Sequence, residues 1–388
     1  MFSPARIRVI YTYDHTTHNT GCPVMILYLV RPSSGGIREH LRLLLDHFGQ
    51  KYPVKVAGPR GGNEWLPVQP DQFLTLSGGF TPGSDVYAWW QCYRLLRALQ
   101  PSLLHIHGFK AALVGCPAAG LARVPVLVTV HNFPAHRAGA VLLPALSRLN
   151  GVSKIRFIAV SQALAKELSA WGIPAANVTV IHNGIDAAPF GQAGRQRRYA
   201  AGDSEIVVGT VARMAPQKGL SHLLQAAALL ARRFPRLRFI LAGDGPELNS
   251  LKELAITLGL SKRVSFPGYC RDLPALLAQI DIFVLPSLTE GLAITLLEAQ
   301  ASGCAAVASR VGGVPEVIEH RRTGLLVPPA SPRALAEAVA ALIENPALRR
   351  SMALAGRERV KKHFTVEQML NQTGLLYEEM LAGRGCRL

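Results

Sequence analysis

Short apolar runs alternate with amphipathic stretches twice over along the 388 residues, and this alternation leaves few folds open to the chain. Strands are expected near 25–30, 53–57, 103–106, 125–130, 156–160 and 178–181, with helical periodicity between them at 37–48, 87–99 and 161–171. A second series begins at Glu205 and runs to Pro328, followed by helical stretches at 333–343, 346–362 and 366–381. Parallel strands need long crossovers, which helices supply, so both series predict parallel sheets covered on each face, an α/β class. The chain is too long for one typical domain, and 49% hydrophobic residues suffice for two cores. Residues 1–23 read as an extension, 24–190 as a first domain and 191–203 as a linker inside the polar, basic tract 187–203. A second domain covers 204–364, and 365–388 carries a terminal helix. A ligand cleft is expected between the domains, at the carboxyl ends of both sheets.

The densest chemistry lies in Pro286-Ser287-Leu288-Thr289-Glu290-Gly291-Leu292-Ala293-Ile294-Thr295-Leu296-Leu297-Glu298-Ala299. An apolar strand ends at Pro286, and a helix opens after Gly291, so backbone amides of Gly291, Leu292, Ala293 and Ile294 and a positive helix end are aimed at an anion. Glu290 sits in the loop and Glu298 nearly two turns into the helix, so they reach different parts of one extended ligand, where carboxylates accept from hydroxyl pairs. At another strand-to-helix junction, Arg213 offers a planar fork and Lys218 a point charge, a pair suited to a diphosphate. The chain has no Asp-x-Asp triplet to hold a magnesium or manganese ion, so no metal or other cofactor is expected.

These segments resemble the donor domain of retaining glycosyltransferases of family 4, in which the Glu-x7-Glu pattern is a signature. The resemblance extends through Leu241-Ala242-Gly243-Asp244-Gly245-Pro246-Glu247, Gly312-Gly313-Val314-Pro315-Glu316 and Thr323-Gly324-Leu325-Leu326-Val327. It also covers Phe266-Pro267-Gly268-Tyr269-Cys270-Arg271-Asp272-Leu273, a loop similar to the one near the nucleobase, which makes Tyr269 and Cys270 donor-binding candidates. In the first half, Ser34-Gly35-Gly36-Ile37-Arg38 resembles the first glycine loop and Thr129-Val130-His131-Asn132 the strand end with the family's active-site histidine. Ala159-Val160-Ser161 and Asn183-Gly184-Ile185-Asp186 resemble the end of that domain. The resemblance implies the GT-B fold, two Rossmann-like doubly wound domains facing each other across a cleft, with the terminal helix packed back on the first.

By the same resemblance, Arg213 and Lys218 bind the nucleotide diphosphate, and Glu298 holds the ribose. Glu290 supports the donor sugar, while His131 and Gly36 position it from the opposite domain. The implied reaction is metal-independent transfer, with retention, of a hexosyl or N-acetylhexosaminyl group. A nucleotide sugar, UDP-linked by preference, is the donor, and a glycan or lipid-linked molecule the acceptor. Where many members carry phenylalanine-glycine or proline after Glu-Gly, this chain has Leu292-Ala293-Ile294-Thr295, which leaves the sugar open. A GT-B epimerase or phosphorylase and a non-catalytic nucleotide-sugar scaffold are the alternatives. A dinucleotide oxidoreductase is disfavoured because no Gly-x-Gly-x-x-Gly follows the first strand.

His105 and His107 flank Ile106 at a strand end, and a metal held by both is not expected because no third ligand is evident. The six cysteines lack metal or redox spacing, which fits a reduced, cytoplasmic setting. No apolar run approaches the roughly 20 residues that span a bilayer. The 1–23 extension lacks a secretion-signal pattern, and Met25 is an alternative start. A net charge of +17, with clusters such as Arg195-Gln196-Arg197-Arg198 and Arg232-Arg233, suits peripheral contact with anionic lipid at an inner membrane face. Nucleic acid is disfavoured because the basic residues are dispersed and lack aromatic interleaving. The loops 59–84 and 133–144 carry no legible chemistry.

Overall fold

The computed structural model describes residues 24–31, 36–59, 72–76, 85–133, 154–193 and 205–382. Two all-parallel sheets account for the alternation. The first contains β1 (Ile26–Leu29), β2 (Val54–Pro59), β3 (Phe73–Leu76), β4 (Leu103–His107), β5 (Val126–Val130), β6 (Ile155–Ala159) and β7 (Val178–Val180), in the order β3-β2-β1-β4-β5-β6-β7. The second contains β8 (Val207–Val211), β9 (Arg238–Ala242), β10 (Val264–Gly268), β11 (Ile282–Leu285), β12 (Ala305–Ser309) and β13 (Leu325–Val327), ordered β10-β9-β8-β11-β12-β13. Central strands β1, β4, β5, β11 and β12 are buried at every residue. Helices cover both faces of such strands, so their sequences are nearly continuous apolar runs.

Local signals explain the helix limits. In Leu220–Arg233 the buried residues Leu220, Leu223, Leu224, Ala227 and Leu230 form one stripe, leaving basic Arg232 and Arg233 at the C-terminal end. Helix Pro332–Glu344 starts on a Ser331 cap, and Pro346–His363 starts on Asn345, whose Oδ1 accepts from the Leu348 amide at 2.9 Å. Each has proline at its first position, where no amide hydrogen is needed. Val366–Leu381 starts on a capping box of Thr365 and Gln368.

Two elements differ from the reading of the sequence. β3 lies inside the stretch taken as a loop; with four residues and two buried side chains it gives too short an alternation to stand out. The start of the basic tract folds as helix Ala188–Ala193, fastened by Phe190, which is buried in the larger core. The extension 1–23 and the Arg195–Arg198 cluster lie outside the described residues, as does most of 59–84 and 133–144. Among the described residues no helix is long and apolar enough to cross a membrane.

After Phe364 the chain returns to the first domain. The Ile185 amide donates to the Phe364 carbonyl at 3.0 Å, and Ile185 bridges Thr365. Val366–Leu381 then seats Tyr377, fully buried, with its hydroxyl 3.0 Å from Tyr28 Oη and 2.6 Å from His105 Nδ1.

Candidate active site

Each sheet reverses its strand order once, between β1 and β4 and between β8 and β11. At such a reversal the loops leave in opposite directions and open a crevice beyond the carboxyl ends. Gly36 follows β1, Arg213 and Lys218 follow β8, and Glu290 follows β11; His131 follows β5. The fold therefore delivers candidates from both halves of the sequence to the rims of two crevices.

On the second-domain side, Glu290 is 4% exposed and its Oε1 accepts from Lys218 Nζ at 2.6 Å and from Ser287 Oγ at 2.7 Å. A buried carboxylate needs such partners to remain ionised. The neighbouring loops are tied together where the Leu288 amide donates to the Gln217 carbonyl at 2.8 Å. Helix Ile294–Ala301 follows, and its first residue is preceded by Ala293, which supplies no side-chain cap to the leading amides. Glu298 is half-buried on this helix. Desolvation, then the negative charge of Glu39 across the cleft, pushes its carboxyl up to about 7.

The arginine loop rests on the glycine turn after β9. Gly243 and Gly245 have φ of +128° and +152°, conformations that favour glycine, and added Cβ atoms would lie 1.9 Å from the Ala212 carbonyl oxygen and 2.4 Å from that of Met214. The Met214 amide donates to the Asp244 carbonyl at 2.8 Å. Arg213 is exposed on this braced loop. Tyr269 stands 69% exposed, and Cys270 is spent on the Asp272 carbonyl at 3.1 Å, so the described contacts do not join these two to the Lys218–Glu290 pair.

The first domain meets this surface directly. A Cβ on Gly291 would lie 1.9 Å from the His131 carbonyl oxygen, and one on Gly36 would lie 2.8 Å from Ile294 Cδ1. Leu292, Ala293 and Ile294 are buried in this contact region. The cleft is thus closed to van der Waals contact beside Glu290. Ser34 and Gly35, the rest of the first glycine loop, lie outside the described residues.

Three groups were not legible beforehand. Glu316 spans the domains, its carboxylate accepting from the amides of Gln162 at 2.8 Å and Ala163 at 2.9 Å and bonded to His182 Nε2 at 2.7 Å. In the sequence it stands only as the last residue of Gly312-Gly313-Val314-Pro315-Glu316. Ser287, whose hydroxyl donates to Glu290, carries no sequence signal of that role. The third group surrounds His131, which is 5% exposed: its Nε2 lies 3.1 Å from His107 Nδ1, and its ring meets that of His40 edge-on at 4.8 Å. Burial, reinforced by neighbouring imidazoles, holds His107 and His131 well below the usual histidine range. Burial likewise lowers His40 to about 4, against the upward pull of Asn183. Among the described residues, His105 and His107 do not come together in one possible metal-holding group. His105 points to Tyr377 and Thr129 instead, whereas His40, His107 and His131 each bring a ring nitrogen within 4.8 Å of the others. Helical spacing alone gives no sign that His40 faces two strand ends.

Comparison with known proteins agrees with this geometry. Residues 195–359 match the family described as "Glycosyl transferases group 1" and residues 34–188 match "Glycosyltransferase Family 4". A glycogen synthase of Mycobacterium tuberculosis is 31% identical over 335 residues, covering 79% of this chain and 79% of that enzyme. A GDP-mannose-dependent alpha-(1-6)-phosphatidylinositol monomannoside mannosyltransferase of the same species is 34% identical over 261 residues, covering 62% of this chain and 66% of that enzyme. The structure of Anabaena HepE in complex with UDP and glucose superposes with a TM-score of 0.78 at 25% identity, over 91% of this chain and 99% of that one. Sucrose-phosphate synthase from Thermosynechococcus elongatus shares the fold at a TM-score of 0.78 and 22% identity, over 92% of this chain and 100% of that one. With both halves matched in order and both sheets of the two-domain architecture in place, the chain belongs to the family 4 glycosyltransferases of GT-B fold.

Proposed function

We propose that the protein transfers, with retention and without a metal ion, a hexosyl or N-acetylhexosaminyl group from a nucleotide sugar, preferably UDP-linked, to a glycan or lipid-linked acceptor. The observation that carries this reading is the Lys218–Glu290 pair, beside which Gly291 packs against the His131 carbonyl across the closed cleft and a helix starts without a side-chain cap. The diphosphate would lie against Arg213, Lys218 and the amides from Gly291 to Ile294, so charge growing on the leaving group meets fixed donors. Lys218 then exchanges part of its bond to Glu290 for phosphate oxygens, freeing the carboxylate to accept from donor-sugar hydroxyls and to face positive charge at the anomeric carbon. Glu298 would take the ribose hydroxyls. His131 and the backbone at Gly36 would hold the sugar from the first domain. No side chain is assigned as a nucleophile; the donor phosphate takes the acceptor proton in front-face attack.

The UDP-bound HepE structures support a uridine donor, and the phosphatidylinositol-mannoside relative supports a lipid-linked acceptor. That relative also favours GDP-mannose as a second donor. An acceptor in an anionic membrane suits the +17 charge, and sedimentation with anionic and neutral vesicles at varied salt tests this: equal partitioning counts against it. The central test is donor hydrolysis and thermal stabilisation over UDP-, GDP-, ADP- and TDP-sugars with EDTA present. One donor that both stabilises and is hydrolysed is the expected result; no binding by any of them would overturn the transferase reading in favour of a scaffold.

A further inference from the structure

The histidine cluster contains more ring nitrogens than sugar positioning requires. His40 comes from the helix Gly36–Phe48, His107 from the end of β4 and His131 from the residue after β5; they are 5%, 4% and 5% exposed. His40 Nδ1 is buried without a hydrogen-bond partner, a cost that a native interior rarely leaves standing without a use. The 3.1 Å between His107 Nδ1 and His131 Nε2 is close to the roughly 3.3 Å edge of a tetrahedron with zinc–nitrogen bonds near 2.0–2.1 Å. The triad lies within 4.8 Å throughout, so closure onto an ion requires His40 to move by about 1 Å or a little more.

We infer that His40, His107 and His131 form a site for one borderline divalent transition-metal ion, with Zn²⁺ as its probe, and that the occupied site blocks sugar transfer. Three neutral imidazoles with a fourth position left to water are a donor set that suits zinc, whereas magnesium and calcium prefer oxygen. On binding, the hydrogen bond between His107 and His131 breaks, and its proton moves to the other nitrogen of the ring that carried it; both facing nitrogens become ligands with no net proton release. The blocking half rests on the proposed function, because an ion on His131 removes the group that would hold the donor sugar. The site is therefore inhibitory and distinct from the metal-free handling of the diphosphate.

The test uses the full chain without an affinity tag, stripped by chelator. Zn²⁺ is titrated against a chromophoric chelator, Co²⁺ is added separately for its visible spectrum, and donor hydrolysis is followed with and without zinc. One equivalent should bind; Co²⁺ should give the intense bands of a four-coordinate ion. His40→Ala and His107→Ala should each weaken zinc by roughly tenfold or more, while His363→Ala, which alters an exposed histidine, should not. Wild-type affinity equal to that of both triad variants, or a six-coordinate cobalt spectrum, would overturn the site. The wild-type spectrum decides the matter even where a variant fails to fold. Zinc bound at the triad with hydrolysis unchanged would overturn the inhibitory half and, with it, the placing of His131 at the sugar; loss of the donor reading alone would leave the binding result intact.

Discussion

Replacing Glu316 by alanine should loosen the closed cleft without unfolding either domain. Its carboxylate accepts from the first two amides of helix Gln162–Ala170 and pairs with His182, all from the first domain, while its own helix belongs to the second. Hydrogen bonds to a charged group contribute about 1.5–3 kcal/mol each, and a helix start adds up to about 1 kcal/mol. The pair is partly open to water, its side chains 34% and 20% exposed, so rehydration returns much of this. A net loss of about 3 kcal/mol shifts the closed-to-open ratio about a hundredfold. Glu316→Gln, which keeps one acceptor, should lose less. Small-angle scattering should show a wider molecule for Glu316→Ala, narrowed again by nucleotide sugar, with a matching fall in donor hydrolysis. All four tryptophans precede residue 172, so fluorescence reports the first domain separately and should show a small change in its melting. Burial alone would raise the Glu316 carboxyl, but His182 and the two amides outweigh it and hold it below the usual carboxylate range. Its stabilisation is therefore fully present above the unfolded value near 4.3 and is lost as pH falls through the lower native value, so the gap between wild type and Glu316→Gln should close in acid. A scattering profile and hydrolysis rate unaltered by Glu316→Ala would refute this account.

Further outcomes bear on the cleft itself. Gly291→Ala places a methyl 1.9 Å from the His131 carbonyl oxygen, where backbone faces backbone, so turnover should collapse with a stability cost of about 1–3 kcal/mol; normal kinetics would contradict the closed geometry. Glu290→Ala should lower kcat by about 10²–10³-fold with modest loss of nucleotide affinity, whereas Lys218→Ala should weaken nucleotide binding as well; Glu290→Ala with near-normal turnover would remove its assigned role. With its carboxyl near 7, Glu298 keeps a proton that the unfolded chain loses above about 4.3, so its contribution to stability falls as pH rises through that window. Ribose hydroxyls favour the ionised form, so nucleotide affinity should rise with pH up to about 7, with proton release visible by calorimetry in two buffers; a flat profile would sink the ribose assignment.

The chain's sequence alone determined whatever depends on neighbours along the chain. Apolar runs such as Val126–Val130 marked buried parallel strands, periodic stretches marked helices at 333–343 and 346–362, and the spacing of Glu290 and Glu298 placed one acid before a helix and one inside it. These signals are local because backbone hydrogen bonding and side-chain period are local. β3 and the helix Ala188–Ala193 escaped because their signals are only a few residues long and their burial is supplied by other elements. Only the tertiary structure decided which faces meet. It bonded Lys218 to Glu290 across 72 residues, Glu316 to helix Gln162–Ala170 across 154, and brought His40 to His107 and His131. Periodicity tells which side of an element is buried but not what it is buried against; that follows from the strand order, the crossing of the chain at Ile185 and Thr365, and the packing of two domains into one cleft.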